Sequence, residues 1–152
     1  MAQMNYLTQC TFDLGALAQL PKVLKSLGVT RPFVVTDPGL KANGLLDTLL
    51  SALGEQPAGV FTGTPPNPTE SASRAAADAY RASGADGIIA FGGGSSMDLA
   101  KAMGLMVTHE GPFERLGGSK RGMKFITKIP PLVAVPTTAG TGSEVSPGAV
   151  VI

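Results

Sequence analysis

The stretch IIAFGGGSSMDLAKAMGL, residues 88–105, constrains the fold more than any other part of this sequence. An apolar run typical of a buried strand leads into Gly92, Gly93 and Gly94, and the residues that follow have helical spacing. Parallel sheets bind ligands where their strands end, and backbone without Cβ atoms lets an anion reach the N-terminus of the next helix. The stretch therefore predicts a strand, a phosphate-binding turn and a helix over 96–107.

The same stretch has a plainer interpretation. Three glycines between a strand and a helix also suit a tight turn that needs positive φ, and Ser95 and Ser96 can cap the helix. Two common nucleotide motifs do not account for it, because the sequence contains no G-x-x-x-x-G-K-[ST] and the glycine spacing is not G-x-G-x-x-G. From the residues alone, the phosphate site and the plain turn both stay open.

Short apolar runs alternate with helical segments along the rest of the chain. Strands are predicted at residues 33–36, 58–63, 87–91 and 131–136, and helices at 15–28, 45–54 and 70–83. Loops are expected at 64–69, where prolines cluster, and at 109–125, where glycine and polar residues leave at most one helical turn. This alternation is typical of parallel βαβ units. We therefore expect one α/β domain over residues 1–152, with a Rossmann-like, open and mostly parallel sheet between flanking helices.

Charge and cysteine content exclude several classes of protein. Lys and Arg total 12 against 11 Asp and Glu, a net charge of +1, which provides no basic surface for nucleic acid or an anionic membrane. Cys10 is the only cysteine and His109 the only histidine, which excludes an intrachain disulfide and a site built from several imidazoles. The sequence shows neither a signal peptide nor an apolar run of about 18 residues. We expect a cytoplasmic protein with no nucleic-acid or membrane partner.

Part of the surface is expected to be covered by other polypeptide. Charged residues make up 15% of the sequence, against about 25% in typical globular domains, and hydrophobic residues make up 43%. The sequence also ends on an apolar, strand-like run, GAVVI at residues 148–152, without a cap, turn or polar tail. Both features predict that this chain is a piece of a longer polypeptide, and a homo-oligomer is expected.

Two long motifs and two short ones resemble those of a known family. The long ones are GGGSSMDLAKAMGL and VPTTAGTGSEVSPGAVVI, and the short ones are VVTDPGL and PPNPT. Along the chain they occur in the order VVTDPGL, PPNPT, GGGSSMDLAKAMGL and VPTTAGTGSEVSPGAVVI, and in that order and spacing they resemble the iron-containing (group III) alcohol dehydrogenase family over residues 34–152. The resemblance implies an N-terminal domain that binds NAD(P). In the family an all-helical domain follows, where an Asp and three His hold a divalent metal, usually iron, and that domain is absent from this sequence.

The resemblance also implies roles for individual residues. Gly93, Gly94 and Ser95 would hold the pyrophosphate of the cofactor. Asp37 would face the adenosine ribose and favour NAD over NADP. The other cofactor-binding residues implied are Asn67, Thr137, Thr138, Thr141 and Ser143. Asp98 would lie near the nicotinamide end, on the substrate side or behind the residues that contact it.

These residues also have purely structural interpretations. Asp37 precedes Pro-Gly as a turn residue would, Asn67 suits an Asx turn, and the hydroxyls after the fourth strand can cap backbone groups. Asp98 is expected in the first turn of its helix, where the helix dipole favours a carboxylate, and Lys101 is spaced to pair with it. Without the family motifs, the structural interpretation of Asp37 would be preferred.

The expected activity is that of an oxidoreductase. By resemblance, the intact enzyme would transfer a hydride between a small alcohol or aldehyde and NAD(H), with the alcohol oxygen on the metal. This chain would supply the NAD-binding half and would not oxidise alcohols by itself. Two alternatives stay open: a relative of the dehydroquinate synthase and glycerol dehydrogenase type, and a non-catalytic nucleotide-binding or assembly module. The PTTAGTGSEVSP motif favours the alcohol dehydrogenase branch.

Overall fold

The computed structural model of this protein describes residues 8–117 and 122–152. Its sheet contains four strands: β1 (Pro32–Val35), β2 (Gly59–Phe61), β3 (Gly87–Gly92) and β4 (Leu132–Pro136). Neighbouring strands pair in parallel throughout, in the order β2-β1-β3-β4. The predicted open parallel sheet is therefore confirmed.

The α-helices that flank the sheet are α1 (Leu20–Ser26), α2 (Pro38–Ala42), α3 (Leu45–Leu53), α4 (Glu70–Ser83) and α5 (Gly94–Thr108). α4 has the predicted bounds, because Thr69 caps it at the start and Gly84 ends it with a φ of 64°. A 3₁₀ turn precedes α1, whose second residue is Pro21. No helix in the described ranges is long and apolar enough to cross a lipid bilayer.

The structure differs from the sequence predictions in the loops after β1 and α5 and at the last residues. The short helix α2 follows Asp37, where the sequence predicts a turn. Two 3₁₀ turns, Phe113–Leu116 and Gly122–Phe125, occupy the 109–125 loop, of which residues 118–121 lie outside the described residues. The apolar run 148–152 forms no strand. Its last residue, Ile152, instead donates its N–H to the carbonyl of Pro68 and accepts the N–H of Glu70 at the start of α4, partners that periodicity does not reveal.

Alternate residues of the central strands pack into two cores, one on each face of the sheet. The face that packs against α4 and α5 contributes Phe33, Val35, Ile88 and Ala90. The face that packs against α1, α2 and α3 contributes Val34, Ile89 and Phe91. Because both faces are covered, every residue of β1 and β3 is buried, which explains why these strands read as continuous apolar runs.

Asp86 joins the loop before β3 to the loop before β1. Its carboxylate accepts hydrogen bonds from the N–H groups of Thr30 (2.9 Å) and Arg31 (2.8 Å) and from the Thr30 hydroxyl (2.6 Å). Burial raises the pKa of Asp86, but the hydrogen bonds outweigh burial and hold the pKa below its usual value of 3.8. The folded protein therefore gives up this proton more readily than the unfolded chain, so the carboxylate stabilises the fold at neutral pH.

We expect Asp86→Asn to lower the free energy of unfolding by about 1–2 kcal/mol at neutral pH, because an amide cannot accept all three hydrogen bonds. The contribution of the carboxylate is present above the unfolded pKa and is lost as the pH falls through the lower, folded pKa. The difference between variant and wild type should therefore shrink below about pH 4. Urea unfolding at neutral and acidic pH measures this difference in the free energy of unfolding, and Glu55→Gln, at an exposed position, is the control. An undiminished difference in acid would contradict the assignment.

Candidate functional site

The chain changes direction at the centre of the sheet. From β1 it passes through α2 and α3 to β2 on one side, and from β3 it passes through α5 to β4 on the other. Open α/β sheets bind ligands at such a switch point, in the crevice beyond the carboxyl ends of the strands. Thr36 and Asp37 after β1, and Gly93 and Gly94 after β3, therefore border the candidate site.

Gly92 is required by the fold itself. It ends β3 with a φ of 145°, a conformation that residues with a Cβ rarely adopt. A Cβ at this position would lie 2.6 Å from Ser96 Oγ and 2.8 Å from Ser96 Cβ, closer than packed atoms approach. The plain interpretation of the glycine run, a turn that needs positive φ, therefore applies to Gly92.

Gly93 and Gly94 have no such structural requirement. Neither has a positive φ, and Gly93 has the extended values φ −81° and ψ −171°. A Cβ at Gly93 would lie 3.4 Å from Thr138 Oγ1, and one at Gly94 would lie 3.4 Å from Ser143 Oγ, at the near limit of ordinary contact. The folded chain has room for a methyl group at both positions, so these two glycines provide bare backbone at the edge of the sheet.

The start of α5 presents N–H groups at this bare backbone. Gly93 is the residue before the helix, and it has no side chain with which to cap the first turn. The N–H groups of that turn are therefore left to solvent or to a bound group, and the helix dipole adds about half a positive charge there. A phosphate or a pyrophosphate matches both features.

Ser95 and Ser96 do not cap the helix, so that prediction is wrong. α5 begins at Gly94, before the predicted start at residue 96, and both serines lie inside its first turn. The Ser95 hydroxyl donates to the carbonyl of Pro66 in the proline loop. The buried Ser96 hydroxyl lies 3.5 Å from Asp37 Oδ2. Both hydroxyls thus connect the helix start to neighbouring loops.

Asp37 has a structural role and also lies at the candidate site. Its Oδ1 accepts the N–H of Leu40 (3.0 Å) and so caps α2. Its Oδ2 faces Ser96 and lies 3.3 Å from the place that a Cβ on Gly92 would take. The Asp37 carboxylate is therefore partly buried next to the glycine turn, and its Oδ2 takes no part in capping α2.

The segment after β4 forms a wall that faces the glycines. The N–H of Thr137 donates to the carbonyl of Gly92 (2.9 Å), which holds the start of this segment against β3. The side chains that lie beside Gly93 and Gly94 are those of Thr138, Thr141 and Ser143. The hydroxyl groups of Thr138 and Ser143 and the methyl group of Thr141 thus face the bare backbone across a narrow gap.

Asn67 lies on the proline loop between β2 and α4. The Pro66 carbonyl next to it is bonded to Ser95, so the loop reaches the candidate site. The Asn67 side chain is exposed, which leaves its amide accessible to a bound molecule.

Asp98 lies in the second turn of α5, not in the first turn as the sequence predicts. Its Oδ2 accepts the N–H of Val150 (3.0 Å), and its Oδ1 lies 3.7 Å from Lys101 Nζ. The predicted Asp98–Lys101 pair is therefore confirmed, and each residue is 9% exposed. Burial lowers the pKa of Lys101, while the nearby carboxylates of Asp98 and Glu144 act in the opposite direction.

The sequence does not predict a role for two buried threonine hydroxyls that lie beyond the carboxyl ends of β1 and β2. Thr36 and Thr64 are 0% and 2% exposed, and neither Oγ1 has a hydrogen-bond partner within the described residues. The N–H of Thr64 donates to the carbonyl of Thr36 (3.4 Å), which places the two residues side by side. Thr36 is predicted to end a strand and Thr64 to begin a loop, and neither position indicates a partner, so only the structure marks this pair.

The described residues fit a phosphate group but do not fit a metal ion. Within residues 8–117 and 122–152, no three or more His, Cys, Asp or Glu side chains come together as metal ligands. His109 instead closes the end of α5. Its Nε2 accepts the N–H of Thr127 (3.1 Å), so its Nδ1 carries the proton and faces the Leu105 carbonyl (3.1 Å).

The sequence of this chain matches a known family and, over its whole length, part of a named relative. The family model described as iron-containing alcohol dehydrogenase matches residues 8–152. The 4-hydroxybutyrate dehydrogenase of Cupriavidus necator is 45% identical over 153 residues, which cover 100% of this chain and 40% of that protein. The chain therefore spans less than half the length of this relative.

Two solved structures have the same fold over most of this chain. A 1,3-propanediol oxidoreductase has a TM-score of 0.77 at 36% identity, covering 86% of this chain and 34% of its own. A sulfoacetaldehyde reductase from Bifidobacterium kashiwanohense, solved in complex with NAD+, has a TM-score of 0.75 at 29% identity, covering 87% and 35%. With a family match over residues 8–152, this chain belongs to the iron-containing alcohol dehydrogenase family.

Proposed function

We propose that residues 1–152 act as one dinucleotide-binding domain, the NAD-binding part of an alcohol dehydrogenase. The observation that carries the proposal is the bare backbone of Gly93 and Gly94 at the start of α5, opposite the hydroxyl groups of Thr138 and Ser143. In the proposed arrangement, these two residues and Ser95 offer N–H groups to the pyrophosphate. The residues proposed to line the remainder of the cofactor are Asn67, Thr137, Thr138, Thr141 and Ser143.

Asp37 is proposed to contact the adenosine ribose. One of its carboxylate oxygens caps α2, and the other lies beside the glycine turn. A carboxylate there can accept a hydrogen bond from a ribose hydroxyl and repels a 2′-phosphate, which favours NAD over NADP. The NAD+ complex of the related sulfoacetaldehyde reductase supports this choice.

The chemistry proposed for the whole protein is hydride transfer between a small alcohol or aldehyde and NAD(H). When bound, the nicotinamide ring supplies the hydride acceptor or donor. The part of this chain is to bind and orient, since the helix N-terminus compensates the negative charge of the pyrophosphate. Asp98 is proposed to lie on the nicotinamide side, behind the residues that contact the cofactor, because its carboxylate is buried and already faces Lys101 and the N–H of Val150.

The proposal specifies the class of reaction and no particular substrate. The relatives are named for 4-hydroxybutyrate, 1,3-propanediol and sulfoacetaldehyde, so the family supports no single substrate. The described residues do not fit the metal of the family, and the proposed roles therefore concern the nucleotide alone. The expected homo-oligomer stays a prediction.

Titration calorimetry of the purified chain with NAD and with ADP-ribose tests the nucleotide site. We expect saturable heat with both ligands, because ADP-ribose keeps the pyrophosphate and both ribose rings that these residues are proposed to contact. A non-catalytic assembly module should give no heat above the buffer with either ligand, and that result would overturn the proposal. We also expect no alcohol oxidation by the chain alone, so NADH formation from NAD and an alcohol would contradict the proposed division of roles.

A further inference from the structure

Lys101 is a buried cation to which the proposed nucleotide contacts assign no role. Its Nζ donates to the carbonyl of Ser143 (2.6 Å) and to the carbonyl of Gly148 (2.8 Å). The carboxylate of Asp98 lies 3.7 Å away and provides the opposite charge. An ammonium group has three N–H donors, of which the two carbonyls take two, while the carboxylate at 3.7 Å lies beyond hydrogen-bond distance and acts through its charge.

These contacts attach α5 to the segment 141–150. The segment is turned upon itself, since the N–H groups of Val145 and Ser146 both bond to the carbonyl of Gly142. Most of its residues are exposed, and nothing lies within 4 Å of the place that a Cβ on Gly142 would take. A segment with so little packing depends on specific hydrogen bonds for its position. Lys101 supplies two of them, and Asp98 supplies a third through the N–H of Val150.

The same segment borders the bare backbone at the start of α5. Ser143 accepts the bond from Lys101 through its carbonyl, and its Oγ lies 3.4 Å from the place that a Cβ on Gly94 would take. Gly94 and Lys101 are seven residues apart in one helix, roughly 10 Å along its axis. A rigid helix therefore connects the N–H groups at its start to the side chain that holds the facing wall.

We infer that Lys101 is a positioning residue, which holds the segment 141–150 at a fixed distance from Gly94 and so sets the width of the gap between them. The identity of the group that enters the gap, a pyrophosphate, rests on the proposed function. The attachment of the segment 141–150 to α5 by Lys101 does not depend on the proposed function, because it is inferred from the two carbonyl contacts. Methionine has a stem of similar length without donors, and arginine has a planar group that cannot converge on two carbonyls in the same way.

Hydrogen exchange of the unliganded protein tests the attachment. In Lys101→Met, we expect the amides of residues 141–150 to exchange at least about tenfold faster, because charge-assisted hydrogen bonds that hold the segment are lost. The amides of β1 and β3 should keep their wild-type rates. Lys22→Met, an exposed lysine of α1, is the matched control and should leave every segment unchanged. Wild-type exchange in residues 141–150 of Lys101→Met would overturn the inference.

Ligand affinity separates positioning from general stability. We expect Lys101→Met to weaken ADP-ribose at least about tenfold and AMP much less, because only the pyrophosphate spans the gap. Lys101→Arg, which keeps the charge, should recover part of this loss. An equal effect on both ligands would show that Lys101 supports the fold without setting the gap.

Failure of the inference and failure of the proposed function give different results. If wild-type protein binds no ADP-ribose, the nucleotide assignment fails, while exchange of residues 141–150 still decides whether Lys101 holds the segment. Lys101→Met leaves the Asp98 carboxylate buried and unpaired, which can prevent folding. The double variant Asp98→Asn/Lys101→Met removes that charge and keeps an acceptor for Val150. Its exchange rates then decide the question: fast exchange supports the inference and wild-type exchange contradicts it.

Discussion

Replacing Gly94 with alanine is expected to weaken ADP-ribose and NAD at least about 100-fold, while the free energy of unfolding changes by less than about 1 kcal/mol. The added methyl group fits the folded chain, because its Cβ would meet Thr141 Cβ and Ser143 Oγ at 3.4 Å. It lies in the gap that a phosphate must enter to reach the N–H groups of the same backbone. Calorimetry with ADP-ribose measures the affinity, and urea unfolding measures the stability.

Gly92→Ala is the matched control, with the opposite expected pattern. Its φ of 145° and a Cβ contact of 2.6 Å with Ser96 Oγ require the backbone to move. We expect a loss of more than about 2 kcal/mol in the free energy of unfolding. The variants at Gly92 and Gly94 thus separate a requirement of the fold from a requirement of binding. If Gly94→Ala binds ADP-ribose as tightly as wild type, the gap beside Gly94 is not the binding site.

Most of the fold could be predicted because its signals are local. The bounds of α4 follow from a capping threonine, Thr69, and a terminal glycine, Gly84, which both lie within a residue of the helix ends. The apolar runs of β1 and β3 predict strands buried on both faces, and the structure confirms them. Short connections between alternating strands and helices then leave a parallel sheet as the expected arrangement.

The start of α5 shows why the site was harder to predict than the fold. Serines after a glycine run suggest helix caps, yet the Ser95 hydroxyl bonds to Pro66, 29 residues earlier in the chain. The Ser96 hydroxyl faces Asp37, 59 residues earlier. Such contacts depend on which loops the sheet order brings together, and one-dimensional spacing does not encode that order. The helix can therefore begin at Gly94 without a side-chain cap.

Lys101 illustrates the same limit for a single side chain. Its spacing from Asp98 predicts an ion pair within the helix, and the structure confirms the pair at 3.7 Å. Its shorter contacts are with the carbonyls of Ser143 and Gly148, 42 and 47 residues away. Backbone carbonyls are present at every position, so no residue type in the sequence marks them as partners. The family motifs identify which residues matter, and the three-dimensional contacts show how each one acts.

Asp37→Asn is expected to change which dinucleotide the protein prefers. With the carboxylate removed, we expect the ratio of the Kd for NADP to the Kd for NAD to fall at least about tenfold, chiefly through tighter binding of NADP, because a 2′-phosphate no longer meets a negative charge. Asparagine is as good a helix cap as aspartate, so the contact with the N–H of Leu40 and the helix α2 should be retained. The loss is therefore expected in selectivity rather than in the free energy of unfolding.

Paired titrations with NAD and NADP measure this selectivity in wild type, in Asp37→Asn and in a control with the same change of charge. Asp47→Asn is suited as control, because Asp47 is exposed in the first turn of α3 and does not border the glycine turn. It should leave the ratio unchanged, which shows that the net charge of the protein does not set the preference. If Asp37→Asn keeps the wild-type ratio while α2 stays intact, Asp37 acts only as the cap of α2. The ribose would then have to lie elsewhere along the edge of the sheet.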